Sequence, residues 1–207
     1  KWTIFEVKAG PKGSKGKHQD YDISTGSNGT TNLSASLNGA DDYHNFYLGL
    51  NRFSTDGISA MNDSPNTNDD DSYINQSMVS NYGYKINENI SFRGGLRFND
   101  SLLNYDEVKA GRTDANNKTD DTELSYNLGL NYANGKFKNS LIYNYTEIER
   151  ATKSYTNASS NYFGYRDSIN FIGEYNFDLD TRIVYGLDNE FDSAYYKDDW
   201  SGLYEEA

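Results

Sequence analysis

The chain has 207 residues, a formal net charge of −12, 18 Gly, 19 Tyr, two Pro and no Cys. The absence of cysteine excludes a disulfide framework, a thiolate metal site and a cysteine nucleophile, and the acidic balance argues against nucleic-acid binding, which needs a basic patch. No apolar run approaches the ~20 residues of a transmembrane helix, yet a membrane β-barrel survives low average hydropathy because only every second strand residue faces lipid.

Alternation at period two is the dominant signal along the chain. Residues 2–9 form a first predicted strand, and the Gly/Lys-rich stretch 10–19, which contains His18, reads as a flexible loop. Residues 31–38 place Leu33, Ala35 and Leu37 on one face, and Asn38-Gly39-Ala40-Asp41-Asp42 has the composition of a hairpin connection. Residues 44–53 follow, with Phe46, Leu48 and Leu50 opposite Tyr47 and Asn51. After a polar segment, residues 71–84 lead through the turn at 85–89 into a strand carrying Ile90, Phe92, Gly94, Leu96 and Phe98. Its opposite face is Ser91, Arg93, Gly95, Arg97 and Asn99, so one side suits lipid and the other water.

The next hairpin alternates Leu124, Tyr126, Leu128, Leu130 and Tyr132 with Glu123, Ser125, Asn127, Gly129 and Asn131. Its turn, at 133–136, contains Asn134-Gly135, a pair that tolerates the positive φ angles of a tight primed turn. Residues 136–149 return with Phe137, Leu141, Tyr143 and Tyr145 on one face. A last pair flanks the turn at 177–180, with Ile169, Phe171 and Tyr175 before it and Ile183, Tyr185 and Leu187 after it.

About nine strands result. Short turns alternate with long polar segments near 54–70, 100–121 and 150–161, the asymmetry of outer-membrane barrels with tight periplasmic turns and long extracellular loops. Aromatic residues near the strand ends, among them Tyr82, Tyr84, Phe98, Tyr132 and Tyr175, suit interfacial girdles. The expected fold is therefore all-β, an antiparallel transmembrane β-barrel domain occupying 1–207. A secreted β-sandwich or solenoid with tyrosine-rich strands explains the alternation but not the asymmetry of the connections.

The segments Ser54-Thr55-Asp56-Gly57-Ile58-Ser59-Ala60 and Asn68-Asp69-Asp70-Asp71-Ser72-Tyr73-Ile74-Asn75 resemble the early barrel strands of TonB-dependent outer-membrane receptors, the cobalamin transporters above all. The resemblance continues through the Tyr84–Phe98 hairpin, Asn104-Tyr105-Asp106 and the Asn134-Gly135 turn to about Glu190. It implies a segment of a 22-stranded barrel that is closed in the family by a plug domain engaging TonB, and TonB-dependent import of cobalamin or an iron chelate (a siderophore complex). No plug or TonB-box pattern occurs, and the chain starts at Lys1 without an initiator Met, so a fragment is expected. The competing function is a small complete outer-membrane barrel, acting as a passive porin or structural anchor.

The resemblance also implies calcium in the extracellular loops. Asp69 and Asp71 match the family's Asp-x-Asp pair, Tyr105 and Asp106 its Tyr-Asp step, and Asp121 the Asp preceding the next strand. A further family ligand falls near Gly57 or Ser59, where no carboxylate stands. The bland reading of these residues is a solvated acidic loop. Arg93 and Arg97 are expected to share the water-facing side with Glu123, Glu174, Arg182, Asp188 and Glu190, as a ladder of cross-strand ion pairs. His18 and His44 are too few and too isolated for a triad, and no nucleophile-elbow pattern occurs, so no enzymatic activity is expected.

Overall fold

The computed structural model describes residues 3–9, 16–58, 71–106, 117–154, 158–178, 180–198 and 202–206, with backbone pairing alone for 3–9 and 202–206. Every regular element among them is a strand: β1 (Thr3–Ala9), β2 (Gly16–Thr25), β3 (Thr31–Ala40), β4 (His44–Thr55), β5 (Tyr73–Lys85), β6 (Ile90–Tyr105), β7 (Asn117–Asn134), β8 (Phe137–Lys153), β9 (Ser159–Asn176), β10 (Arg182–Asp198) and β11 (Gly202–Glu206). They form one open antiparallel sheet in strict sequence order, and each strand touches only its neighbours in the chain.

Nine of the eleven are the expected strands. The other two are β2 and β11. The stretch containing His18 is therefore strand from Gly16 onward rather than flexible loop, paired with β3 through His18↔Asn38 and Tyr21↔Ala35. Its period was masked because Lys17 and Gln19 occupy the face that carries Tyr21 and Ile23 further along. The strands also run into the expected long segments: β6 reaches Tyr105, β7 begins at Asn117, β8 ends at Lys153 and β9 begins at Ser159.

The register puts the alternation of every strand in phase. On one face the rows read Leu50–Met78–Phe98–Leu124, Phe92–Leu130–Leu141–Phe171–Leu187 and Gly94–Leu128–Tyr143–Ile169. On the other they read Asn51–Ser77–Asn99–Glu123 and Asn81–Gly95–Asn127–Asn144–Ser168–Glu190. A slip of one residue would exchange the two faces, so this agreement fixes the pairing strongly.

There is no interior between layers. Among the described residues no second sheet or helix packs on either face, and the one large side chain below 2% exposure is Asn117. The apolar rows consequently stand open, with Leu128 at 46% and Leu187 at 69% exposure. A two-layer sandwich, the alternative that alternation alone permits, does not describe this arrangement, because its inner faces would cover each other.

Three of the four turns described at one end of the sheet share a device. Asp41 Oδ1 accepts the N–H groups of Tyr43 and His44, Asn87 Oδ1 those of Asn89 and Ile90, and Asp178 Oδ1 those of Asp180 and Thr181. Side-chain carboxyl and amide oxygens thus replace backbone acceptors that a tight turn leaves out. The fourth turn uses Gly135 at φ +52° directly after Asn134. At the opposite end, the connections 56–72 and 106–116 are the longest, whereas 26–30 and 154–158 are short.

Candidate functional site

The residues expected to hold a metal lie at the end of the sheet that carries the longer connections. Asp69 is outside the described residues. Asp71 precedes β5, where its carbonyl oxygen lies so close to Gly57 that a side chain there would meet it at 2.1 Å. Gly57 has φ +75°, and its N–H donates to Thr55 Oγ1 at 3.1 Å. Thr55 Oγ1 in turn lies 2.9 Å from Thr30 Oγ1 and donates to the Asn28 carbonyl at 3.1 Å. Glycine is needed at 57 because the backbone there combines positive φ with close approach of another backbone segment.

Tyr105 ends β6 and Asp106 follows it. Asn104 ties that end to the start of β5, its N–H donating to the Ser72 carbonyl at 2.9 Å and its amide to Ser72 Oγ at 2.6 Å. Asp71 and Asp106 are thereby carried on adjacent, mutually hydrogen-bonded chain segments.

Asp121 is elsewhere. It is a strand residue of β7 in register with Ser101, whereas Tyr105 pairs with Asn117. Four strand residues separate the two rows, about 13 Å at ~3.3 Å per residue. Asp121 is also engaged: Arg150 Nε donates to its Oδ1 at 2.6 Å and Nη2 to its Oδ2 at 3.2 Å, a bidentate pair. Among the described residues no group of three or more His, Asp or Glu side chains is placed to hold a metal. Calcium takes six to eight oxygens, and of the expected ligands the structure carries Asp71 and Asp106 on neighbouring segments and Asp121 apart from them, in the β7 row of Ser101.

The expected water-facing set does share one face. Register places Arg93, Arg97, Glu123, Glu174, Arg182, Asp188 and Glu190 together with the Asn/Ser rows. Over β8–β10 it is a network of pairs. Lys138 Nζ and Arg182 Nη1 both approach Glu174, at 3.2 and 3.4 Å. Arg166 Nε lies 2.6 Å from Asp192 and 3.6 Å from Glu190. Asn144 donates to Ser168 Oγ and Asn170 Oδ1, and Asn170 donates to Asp188. Sequence reasoning found the acids but missed Lys138, Arg150, Arg166 and Asp192. Each alternates in phase with Glu174 or Glu190, which is the signal that identifies them once register is known.

Over β5–β7 the same face is different in kind. Arg93 and Arg97 are exposed there among Asn, Ser and Gly, with no ion pair or hydrogen bond to other described residues.

The apolar face carries its own order. Tyr126 stacks on Tyr145 at 5.1 Å and Phe163 on Tyr195 at 5.0 Å toward the long-loop end. Phe137 meets Tyr175 at 4.7 Å and His44 stacks on Tyr84 at 4.7 Å toward the short-turn end. Between these groups lie Leu128, Leu130, Leu141, Ile169 and Leu187.

No protein-family model matches this chain, and no curated protein matches it.

Proposed function

We propose that this chain forms part of the wall of a bacterial outer-membrane β-barrel, within a receptor that imports a large scarce solute, cobalamin or an iron chelate, with energy delivered through TonB. The observation that carries the membrane part of this reading is the uncovered apolar face. An aqueous protein rarely leaves so continuous an apolar surface exposed, and in a single-layer sheet only lipid can cover it along its whole width.

The height of that face supports the reading. The interval from Tyr165 to Tyr175 on β9 spans about 33 Å at ~3.3 Å per residue, and a strand tilt of ~40° reduces it to about 25 Å, the height of the apolar band in such barrels. Aromatic side chains bracket the band, where interfacial girdles belong. The polar face would then line the lumen. The edges of β1 and β11 each have one neighbour in the sheet, and unpaired edges are costly in lipid, so further strands would close the wall.

The receptor part rests on the resemblance at 54–75 and 84–190 and on the longest connections lying at one end, where a solute would be met. Expression of the complete reading frame tests both parts. Sedimentation with outer-membrane vesicles and a heat-dependent shift on a gel are expected, and recovery as a soluble protein would end the membrane reading. Uptake of labelled cobalamin and of ferric chelates, with and without TonB, decides the second part. Uptake that ignores TonB, accompanied by leakage of small solutes, would favour a passive porin.

A further inference from the structure

We propose that the polar face of β5–β7 carries an oxyanion-binding cup, in which Arg93 and Arg97 hold a carboxylate or phosphate group above Gly95. The two arginines stand at i and i+4 on β6, so both point to the same face with one position between them. That position is Gly95. In register it lies between Asn81 of β5 and Asn127 of β7. The result is a floor without a side chain, flanked along the strand by two arginine positions and across the strands by two carboxamides.

The carboxamides already lean over the floor. A side chain at Gly95 would meet Asn127 Nδ2 at 2.7 Å and Asn81 Oδ1 at 3.1 Å. Arg93 is positioned by a second glycine: a side chain at Gly129 would meet its Nε at 2.7 Å and its Cγ at 2.8 Å, so the stem lies flat over β7. A hollow of about 680 Å³ opens beside Arg93 toward the short-turn end, lined also by Asn81 and Asn127, with Asp41, Asp42, Lys85 and Glu88 at its turn edge, away from Gly95 and Arg97. It has room for the body of a small organic anion.

Charge selects the occupant. Arg150, Arg166, Arg182 and Lys138 are each matched by a carboxylate on a neighbouring strand. Arg93 faces Gly83 and Gly129, and Arg97 faces Val79 and Ser125. The nearest strand carboxylate on this face is Glu123, opposite Asn99 and one position beyond Ser125, which donates to it at 3.5 Å. Two guanidinium forks that no carboxylate pairs among the described residues, with the Asn127 amide donor between them, match the planar, multidentate acceptors of a carboxylate or phosphate better than any cation or neutral solute.

Calorimetric titration of the full-length protein with citrate and, separately, with inorganic phosphate tests this. Binding of either anion is expected, weakened about tenfold or more in Arg93→Gln/Arg97→Gln. Gly95→Leu, which keeps both charges but fills the floor, should weaken it comparably. Arg166→Gln, which removes a paired arginine from the same face, should leave it unchanged. Binding of citrate alone assigns the cup to carboxylates, and of phosphate alone to phosphates. No binding of either anion by the parent protein, or equal binding by the double variant with its strand circular dichroism intact, would overturn the proposal. These outcomes do not depend on where the protein resides, so they are separable from those of the membrane test.

Discussion

The two faces of this sheet are held by different physics. The apolar face is made mostly of interchangeable residues: Leu, Ile, Phe and Tyr recur along its rows, interrupted by Asn139, Asp167 and Asn189, and any of the apolar ones satisfies a medium that rewards area removed from water. The polar face is made of particular partners. Arg166 serves Asp192 and Glu190, Glu174 serves Lys138 and Arg182, and Arg150 serves Asp121. The first tolerates exchange within a class and fails when the class changes. The second tolerates the loss of any one member, because its pairs are exposed to water and individually weak.

The largest expected effect comes from changing the class. Leu128→Lys places a charge in the middle of the apolar band, and about 2–4 kcal/mol of stability should be lost for a lysine at that depth in a bilayer. Asn127→Lys, one residue away on the polar face, is the matched control, with a change within about 0.5 kcal/mol. Urea unfolding of protein folded into lipid vesicles measures both. Equal effects would mean that lipid does not distinguish the two faces.

A steric version of the same contrast comes next. Gly173 lies on the apolar face, where a side chain would meet the Tyr185 ring at 2.3 Å, and that ring is anchored by its hydroxyl donating to Asn139 Oδ1 at 2.8 Å. Gly173→Val should cost about 1–3 kcal/mol as overpacking. Gly129→Val first meets the Nε and Cγ of Arg93, an exposed, unanchored side chain that can change rotamer from its base, and should cost distinctly less. Thermal unfolding of the two variants decides whether the anchored ring at Gly173 resists displacement more than the unanchored arginine at Gly129.

This contrast also explains how far the chain was legible before its structure. The period-two pattern of residues such as Phe92-Gly94-Leu96-Phe98 and Leu124-Tyr126-Leu128-Leu130 identifies strands and faces, because a class of residue is visible in one strand taken alone. The strand β2 was hidden where Lys17 and Gln19 dilute that class. Pairs such as Arg166–Asp192 and Arg150–Asp121 require the register of two strands, which no single strand carries. That Asp121 stands inside β7 opposite Arg150, rather than before the strand, is likewise invisible until the register is known. The cup at Gly95 needs three strands at once, and its arginines were expected to be paired.

Asp121→Ala, a smaller perturbation, separates pairing from metal binding. Arg150 is 58% exposed in its side chain, so the loss should stay within about 0.2–1 kcal/mol. Any calcium dependence of thermal stability should be the same in Asp121→Ala as in the parent. A calcium response abolished by this substitution would return Asp121 to a ligand set and break the view that its role is to match Arg150.

The smallest effect concerns the turn that keeps the faces of β9 and β10 in phase. The backbone N–H groups of Asp180 and Thr181, and the Thr181 side chain, hold the Asp178 carboxyl below its ordinary 3.8. A carboxyl with a depressed folded value stabilises the folded turn above the ordinary value and loses that contribution as pH falls through the folded one. Amide-exchange protection at Asp180 and Thr181 should therefore be constant from neutral pH down to about 4 and decline only in more acidic solution. Asp178→Asn keeps an acceptor oxygen without a titrating proton and should remove the acid-side decline. Asp178→Ala should lower protection at every pH, while the pairs Ile183↔Tyr175 and Leu187↔Phe171 keep their protection. If protection along those pairs fell with it, the turn rather than the agreement of the two faces would be setting the register.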